Sequence, residues 1–191
     1  MTLLERTAVD ESAIGKNAIG ESAASMSATS EKSGAAGFRQ AMREFASGVA
    51  IIACGEGVRR TGCTATALAS LSLTPPTLVV CLDKGGSTIE RLRESGAFSV
   101  NLLAAQHEGL AARFAGKTGA QGADRFSEGD WIQLVTGAPL LADALAAIDC
   151  RVEEIVDRHT HAIVIGAVAA VRLGASDPAL LHWRSRFEQH G

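Results

Sequence analysis

Strand-like segments follow one another along most of this chain, with only short helices between them. Apolar runs rich in β-branched or small residues lie at 49–54, 77–82, 97–103, 144–156, 161–173 and, in a shorter form, 178–187. The chain shows no repeated strand–helix–strand alternation, which disfavours a parallel nucleotide-binding sheet. The pattern therefore predicts a mainly β fold with α additions, in which the strands form an antiparallel barrel.

Three short helices are predicted between these strands. The first covers about 38–45 and carries its apolar residues on one face. The second begins at Ser87, which has the capping-box spacing to Glu90, and ends before Gly96. The third spans about 106–115.

Size and composition are those of one domain with a tail. The chain has 191 residues, of which 47% are hydrophobic, so it can bury a sizeable core. The formal net charge is -3 and no long basic stripe occurs, which argues against nucleic acid as the main partner. No apolar run approaches the ~20 residues that span a bilayer, and no signal-peptide pattern opens the chain. We therefore expect a cytoplasmic protein that does not enter a membrane.

Residues 1–36 differ in composition from the rest of the chain. They are rich in Ala, Ser and Gly and contain few large apolar side chains, so they cannot bury enough surface to offset the entropy of ordering. We predict a flexible arm, or one that is ordered only against a partner subunit, followed by a domain at 37–191. The composition is compatible both with Met26 as an alternative start and with an ordinary leader sequence.

The four cysteines are predicted to be reduced and buried. Cys54, Cys63, Cys81 and Cys150 lie among apolar residues and form no Cys-x-x-Cys pair. This spacing does not suit zinc. No metal site is predicted.

The segment 84–88 carries groups that attract phosphate. Lys84 supplies a cation, Gly85 and Gly86 supply unhindered backbone N–H groups, and Ser87 and Thr88 supply hydroxyls at the start of a helix. The alternative is structural: the glycines make a tight turn and Ser87 caps the helix.

The run from Thr64 to Ala67 is too small to fill a core by itself. A flat ligand could lie against it and meet its backbone N–H groups. The alternative is a strand that passes beneath a crowded element.

Few other residues indicate chemistry. His159 and His161 share one face of a strand, where a single histidine facing a ligand is more plausible than a metal site without further ligands. Arg184 and Arg186 also share a face, as solvated side chains or as a phosphate contact. No Gly-x-Ser-x-Gly, Gly-x-Gly-x-x-Gly or P-loop sequence is present.

Taken in order, these segments resemble the short-chain flavin reductases, the reductase partners of two-component flavin monooxygenases, which have the FMN-binding split-barrel fold. The similarity covers about 38–187, and its strength lies in the order and spacing of its parts. These are FASGVAII (45–52), Gly62-Cys63-Thr64, SLSLTPP (70–76), Cys81-Leu82-Asp83 with Ser87-Thr88, SGAFSVNLL (95–103), LAARFAG (110–116), Arg125-Phe126, His161 with Gly166, and LLHWRSRF (180–187). The family often has Asn or Ser where Ala65 to Ala67 stand, and Ser where Gly86 stands.

The resemblance implies a homodimer of antiparallel split β-barrels with flavin bound near the subunit interface. It assigns His161 to the nicotinamide position, and Arg184 to a contact near the flavin or nucleotide. The remaining cofactor-binding residues that it implies are Thr64, Ala65, Thr66 and Ala67 at the isoalloxazine, Cys81, Leu82, Asp83, Lys84, Ser87 and Thr88 around the ribityl phosphate, and Phe114, Ala115 and Phe126 closing the pocket.

The function implied is that of an NAD(P)H-dependent flavin reductase, with FMN or FAD as the flavin and NADH or NADPH as the hydride donor. Reduced flavin would pass to a partner monooxygenase. One alternative is a reductase that retains its flavin and reduces another acceptor, such as a cobalt corrinoid or a ferric chelate. Another is a non-catalytic flavin- or haem-binding module on the same fold.

Overall fold

The computed structural model describes residues 34–190 of the chain. The predicted arm lies almost wholly outside the described residues. The last three residues assigned to it, 34–36, belong to the first helix, which begins at Gly34.

Three α-helices and twelve strands are present in the described part of the chain. The helices are α1 (Gly34–Arg43), α2 (Ser87–Ser95) and α3 (Glu108–Phe114), and short 3₁₀ turns lie at Gly57–Arg59, Ala105–His107 and Gly122–Ser127. The strands are β1 (Ser47–Gly48), β2 (Ala50–Cys54), β3 (Thr61–Ala65), β4 (Leu68–Leu73), β5 (Pro76–Asp83), β6 (Ala97–Leu102), β7 (Trp131–Ile132), β8 (Leu140–Leu141), β9 (Ala146–Arg158), β10 (His161–Leu173), β11 (Ala179–Trp183) and β12 (Arg186–His190).

Seven strands form one antiparallel sheet in the order β3-β2-β6-β9-β10-β5-β4. Its two edge strands, β3 and β4, are consecutive in the chain and separated only by Thr66 and Ala67. Two residues span about 10 Å at most between the flanking Cα atoms, so the sheet curls until its edges meet. The Ala67 carbonyl accepts a hydrogen bond from the Cys81 amide of β5 at 3.0 Å. No ladder joins β3 to β4 within residues 34–190, and the prediction of a mainly β antiparallel fold is confirmed.

Two apolar cores lie on opposite faces of this sheet. One is inside the curl and includes Phe98, Val164 and Leu92 of α2; the other packs α3 against the outside and includes Ile51 and Phe114. Successive side chains of β2 enter alternate cores, so all five of its residues are buried. This two-sided burial explains why β2 reads as a continuous apolar run.

A buried polar cluster fixes the segment before β9 to the sheet. The carboxylate of Asp149, 0% exposed, accepts hydrogen bonds from the amides of Val135 and Thr136, both at 2.8 Å, and from the Thr136 hydroxyl. Asn101 accepts the Leu141 amide at 2.7 Å. These bonds satisfy backbone groups that the short β7–β8 pair leaves unpaired.

The first helix begins at Gly34, four residues earlier than predicted, and its apolar residues Phe38 and Met42 are 68% and 47% exposed. One sequence prediction about this framework is wrong. The last predicted strand is a hairpin of β11 and β12, turned by Arg184 and Ser185 with φ of 49° and 68°. A left-handed turn without Gly or Asn gives no recognisable signal in the sequence.

Candidate functional site

The link between β3 and β4 leaves backbone donors open. Thr66 and Ala67 are exposed, and their amide N–H groups have no hydrogen-bond acceptor among residues 34–190. Beside them, Ala65 is buried and Thr64 donates its hydroxyl to the Ala111 carbonyl at 2.6 Å. The site that the link offers is therefore two amides and a small side chain, open to a flat ligand.

The loop after β5 is shaped by Asp83. Its carboxylate accepts the Gly85 amide at 2.8 Å and its carbonyl accepts the Gly86 amide at 3.3 Å. The Lys84 amide donates to the Thr160 carbonyl at 3.0 Å. The expectation that Gly85 and Gly86 would offer free N–H groups is wrong, because the turn itself uses them.

Helix α2 begins directly after this loop. Its N-cap is Gly86 without a side-chain capping bond, so the predicted capping role of Ser87 is wrong. The Ser87 hydroxyl instead lies 3.1 Å from the Thr61 hydroxyl of β3. The amides of the first helical turn have no acceptor within the helix. These amides form the hydrogen-bond donor set at this end of the sheet, together with the exposed Lys84 ammonium and the Ser87 hydroxyl.

Several of the predicted site residues are buried and present no side chain to the surface. Thr88 is 4% exposed and faces Cys63 inside the curl. Leu82 is 3% exposed in the same core. Phe114 and Phe126, 1% and 3% exposed, pack edge to face with ring centroids 4.9 Å apart. These residues lie beneath the surface of the site and present no side chain to a ligand. Ala115, which follows α3, is exposed.

The thiols near the site are poor nucleophiles. Burial raises the pKa of Cys54 to about 12 and also raises the pKa of Cys63. A thiolate is the reactive form of cysteine, so neither side chain supplies a nucleophile at neutral pH. Cys81, half-buried on β5, lies on the face opposite to Val80 and Leu82.

His161 lies at the start of β10, directly opposite Asp83 of β5. It is exposed, and its Nδ1 lies 2.9 Å from the hydroxyl of Thr160. Asp83 is two residues beyond Cys81, about 7 Å along the strand. His161 therefore borders the 83–88 loop at its first residue, Asp83.

Arg184 stands apart from the other predicted site residues. It lies in the β11–β12 turn, where its guanidinium pairs with Glu44 at 2.7 Å and stacks on Trp183 at 4.4 Å. Within this one chain it contacts the region after α1, and its role at the flavin stays a prediction.

The other candidates form one connected patch, to which the structure adds residues that the sequence did not suggest. Thr61 bonds Ser87, and Thr160 holds the backbone of Lys84. Both depend on tertiary contacts between segments distant in sequence. A groove along α2, lined by Arg59, Arg60, Arg91 and Arg125 among others, was also missed.

The donor set fits a flavin. Two open amides at the β3–β4 link suit the polar edge of an isoalloxazine, and a hydroxyl, helix amides and a lysine suit a phosphate. Within residues 34–190 no group of three His, Cys, Asp or Glu side chains could hold a metal ion. No helix in that range is long and apolar enough to cross a bilayer.

Comparison with known proteins gives consistent matches over this domain. The flavin reductase like domain model matches residues 42–191. The FMN reductase (NADH) RutF of Agrobacterium fabrum is 41% identical over 150 residues, 78% of this chain and 85% of that protein. The Streptomyces globisporus NADH:FAD oxidoreductase SgcE6, solved in complex with NAD and FAD fragments, superposes with a TM-score of 0.73 and 28% identity, covering 82% of this chain and 92% of that one. BorF, the flavin reductase component of a bacterial two-component tryptophan halogenase, gives a TM-score of 0.74 and 28% identity, covering 80% and 96%.

Proposed function

Because this chain belongs to the flavin reductase-like family, we propose that it is an NADH-dependent flavin reductase that supplies reduced flavin to a partner monooxygenase. The observation that carries this proposal is the pair of open amides at Thr66 and Ala67 beside the 83–88 loop. Ala67 bonds Cys81, and Asp83 follows about 7 Å along β5. One flavin can therefore lie with its ring at the link and its phosphate at the start of α2.

A bound flavin would supply the hydride acceptor, and hydride transfer to it would need no protein acid or base. The residues of the chain would bind and orient the reactants. The amides of Thr66 and Ala67 would hold the polar edge of the ring, while Lys84 and Ser87 would hold the phosphate. His161 would position the nicotinamide. Because the residues of the chain only bind and orient the reactants, the reaction needs no nucleophilic side chain.

We propose that flavin exchanges between turnovers. Thr66, Ala67, Lys84 and Ser87 are all exposed, so the side chains and amides that hold the flavin face solvent. Gel filtration of protein loaded with FMN tests this: the flavin should separate from the protein. A protein that stays yellow through gel filtration and turnover would instead support a reductase with retained flavin.

The role of His161 is tested with its alanine variant. His161→Ala should bind flavin as the wild type does but transfer hydride more slowly by about 10-fold or more, because orientation is lost. His159→Asn is the matched control, since this neighbouring histidine has a φ of 47° that asparagine tolerates. Anaerobic stopped-flow absorbance at 450 nm measures the step. A wild-type rate in His161→Ala would refute the role.

We propose that two copies of the chain associate. Large apolar side chains are exposed on the two strands that flank β5 in the sheet, among them Leu73 of β4 at 84% and Leu173 of β10 at 77%. An apolar cavity of about 260 Å³, lined by Leu68, Leu73 and Val168 among others, lies on the same part of the barrel. Exposed apolar surface of this kind marks a protein interface.

Light scattering during gel filtration tests the homodimer. Leu73→Asp should shift the mass from two copies to one, whereas Val58→Asp, at an exposed residue outside this surface, should not. An unchanged mass in Leu73→Asp would contradict the interface.

We place the protein in the cytoplasm, because all four of its cysteines are free thiols.

A further inference from the structure

The turn between β9 and β10 places a hydroxyl group against the imidazole of His161. Arg158 and His161 are paired across the two strands, so only His159 and Thr160 form the turn. His159 has a φ of 47°, and the Thr160 carbonyl accepts the Lys84 amide at 3.0 Å. Thr160 is β-branched, which restricts its χ1 angle once its backbone is held. Its hydroxyl oxygen is therefore held where it lies, 2.9 Å from Nδ1 of His161.

Within residues 34–190, no other group makes a hydrogen bond to this imidazole. Asp83 and Arg158 are its neighbours on the two flanking strands, and both are engaged elsewhere. The Asp83 carboxylate accepts an amide of its own loop at 2.8 Å, and the Arg158 guanidinium donates to the preceding carbonyl at 2.8 Å. His161 is exposed, so packing does not hold it either. The orientation of the imidazole therefore depends on the Thr160 hydroxyl.

A hydroxyl can bond this imidazole in both of its protonation states. It donates to Nδ1 when the imidazole is neutral, and it accepts from Nδ1–H when the imidazole is protonated. In both cases Nε2 carries a hydrogen, because the bond made by one ring nitrogen decides which nitrogen is protonated. Nε2 has no partner among residues 34–190. The atom that His161 leaves for a ligand is therefore an N–H donor.

We propose that Thr160 is a positioning residue for hydride transfer, an inference that rests on the proposed function. Its hydroxyl donates to Nδ1 of His161 and holds the imidazole so that Nε2–H donates to the carboxamide oxygen of the nicotinamide. The carboxamide is attached next to C4, the carbon that gives up the hydride, so this bond orients C4 toward the flavin. The carbonyl of the same residue holds the backbone of Lys84. Thr160 thus connects the nicotinamide position to the loop proposed to hold the flavin phosphate.

Removing the hydroxyl alone tests this role. Thr160→Val keeps the shape of the side chain and the backbone carbonyl, so the Kd for FMN should change less than twofold. Hydride transfer, followed by anaerobic stopped-flow absorbance of the flavin, should slow about 3- to 10-fold, the order of one lost hydrogen bond. Thr160→Ser is the matched control: it keeps a hydroxyl, and its rate should stay within twofold of the wild type.

A double variant shows whether Thr160 acts through His161. If it does, Thr160→Val should slow the reaction no further once His161 is replaced by alanine. Multiplied effects of the two substitutions would overturn the proposal. So would a wild-type rate in Thr160→Val, or a rate in Thr160→Ser as slow as that in Thr160→Val. Weakened FMN binding in Thr160→Val would show that the substitution disturbs the 83–88 loop instead.

The hydrogen bond itself is measured without reference to activity. Long-range proton–nitrogen NMR correlation should place the hydrogen of the neutral His161 imidazole on Nε2, with its signals identified by their loss in His161→Ala. The Nδ1 resonance should move in Thr160→Val and stay near its wild-type position in Thr160→Ser. A hydrogen on Nδ1, or an Nδ1 resonance unchanged in Thr160→Val, would refute the bond. A protein that shows this NMR signature but oxidises no NADH would refute the reductase proposal, and with it the role in hydride transfer, while confirming the Thr160–His161 bond.

Discussion

Replacing Gly166 with alanine is expected to destabilise the fold by overpacking the core inside the curled sheet. A Cβ atom at this position of β10 would lie 2.5 Å from Cζ and 2.8 Å from Cε1 of Phe98, and 3.3 Å from Cβ of Cys150. Phe98 is 0% exposed and cannot turn away. Overpacking of this kind costs about 1–3 kcal/mol, which for a chain of this size lowers Tm by about 3–10 °C.

Thermal and urea unfolding measure this change, and a second substitution identifies its cause. Phe98→Leu removes the ring atoms that the new methyl group would meet. The double variant should therefore lose less free energy of unfolding than the sum of the losses in the two single variants, by at least ~1 kcal/mol. Gly109→Ala on α3 is the control, since no atom lies within 4 Å of its Cβ, and it should stabilise by about 0.5–1 kcal/mol. Additive effects of Gly166→Ala and Phe98→Leu would refute the steric argument.

Two further predictions concern buried groups. Burial raises the pKa of Cys54 and of Cys150 to about 12 from an ordinary value of 9.0, so each thiol keeps its proton in the folded state while the unfolded chain releases it above about pH 9. The free energy of unfolding should then fall between pH 9 and pH 12, by about 1.4 kcal/mol per pH unit for each thiol. Urea unfolding at pH 8 and pH 10 should show a smaller loss in Cys54→Ala than in the wild type, and an equal loss would contradict the assignment. Asp149→Asn should destabilise by about 2–3 kcal/mol, because an amide cannot accept all the hydrogen bonds that this buried carboxylate accepts from Val135 and Thr136. Tm and protease cleavage near residue 135 measure it, and a Tm within 1–2 °C of wild type, less than ~1 kcal/mol, would rule out that role.

The long strands were predicted well from the sequence because apolar residues recur along each of them, although in β10 only the alternate residues Ala162, Val164 and Gly166 are buried. β10 has the predicted bounds, His161–Leu173, and β9 begins and ends two residues later than predicted. Helix α2 was also placed correctly, and Gly96 ends it with a φ of 64°. In each case the signal is local: apolar periodicity for the strands and a left-handed glycine for the helix end.

The features that the sequence did not reveal depend on tertiary contacts. Ser87 has the spacing of a helix cap, but the curl of the sheet brings Thr61 to its hydroxyl and that contact replaces the cap. The sequence predicts an apolar face on α1, but nothing local shows that this face is exposed, as Phe38 and Met42 are. The groove arginines, such as Arg59 and Arg125, are more than sixty residues apart in the chain, so no basic stripe marks them.

The central claim is that this chain passes hydride from NADH to flavin. Loss of absorbance at 340 nm, after NADH and FMN or FAD are mixed with catalytic amounts of the protein, tests it most directly. We expect a rate that is proportional to protein, saturates with flavin and falls in His161→Ala. No NADH consumption above the protein-free rate with either flavin would contradict the account.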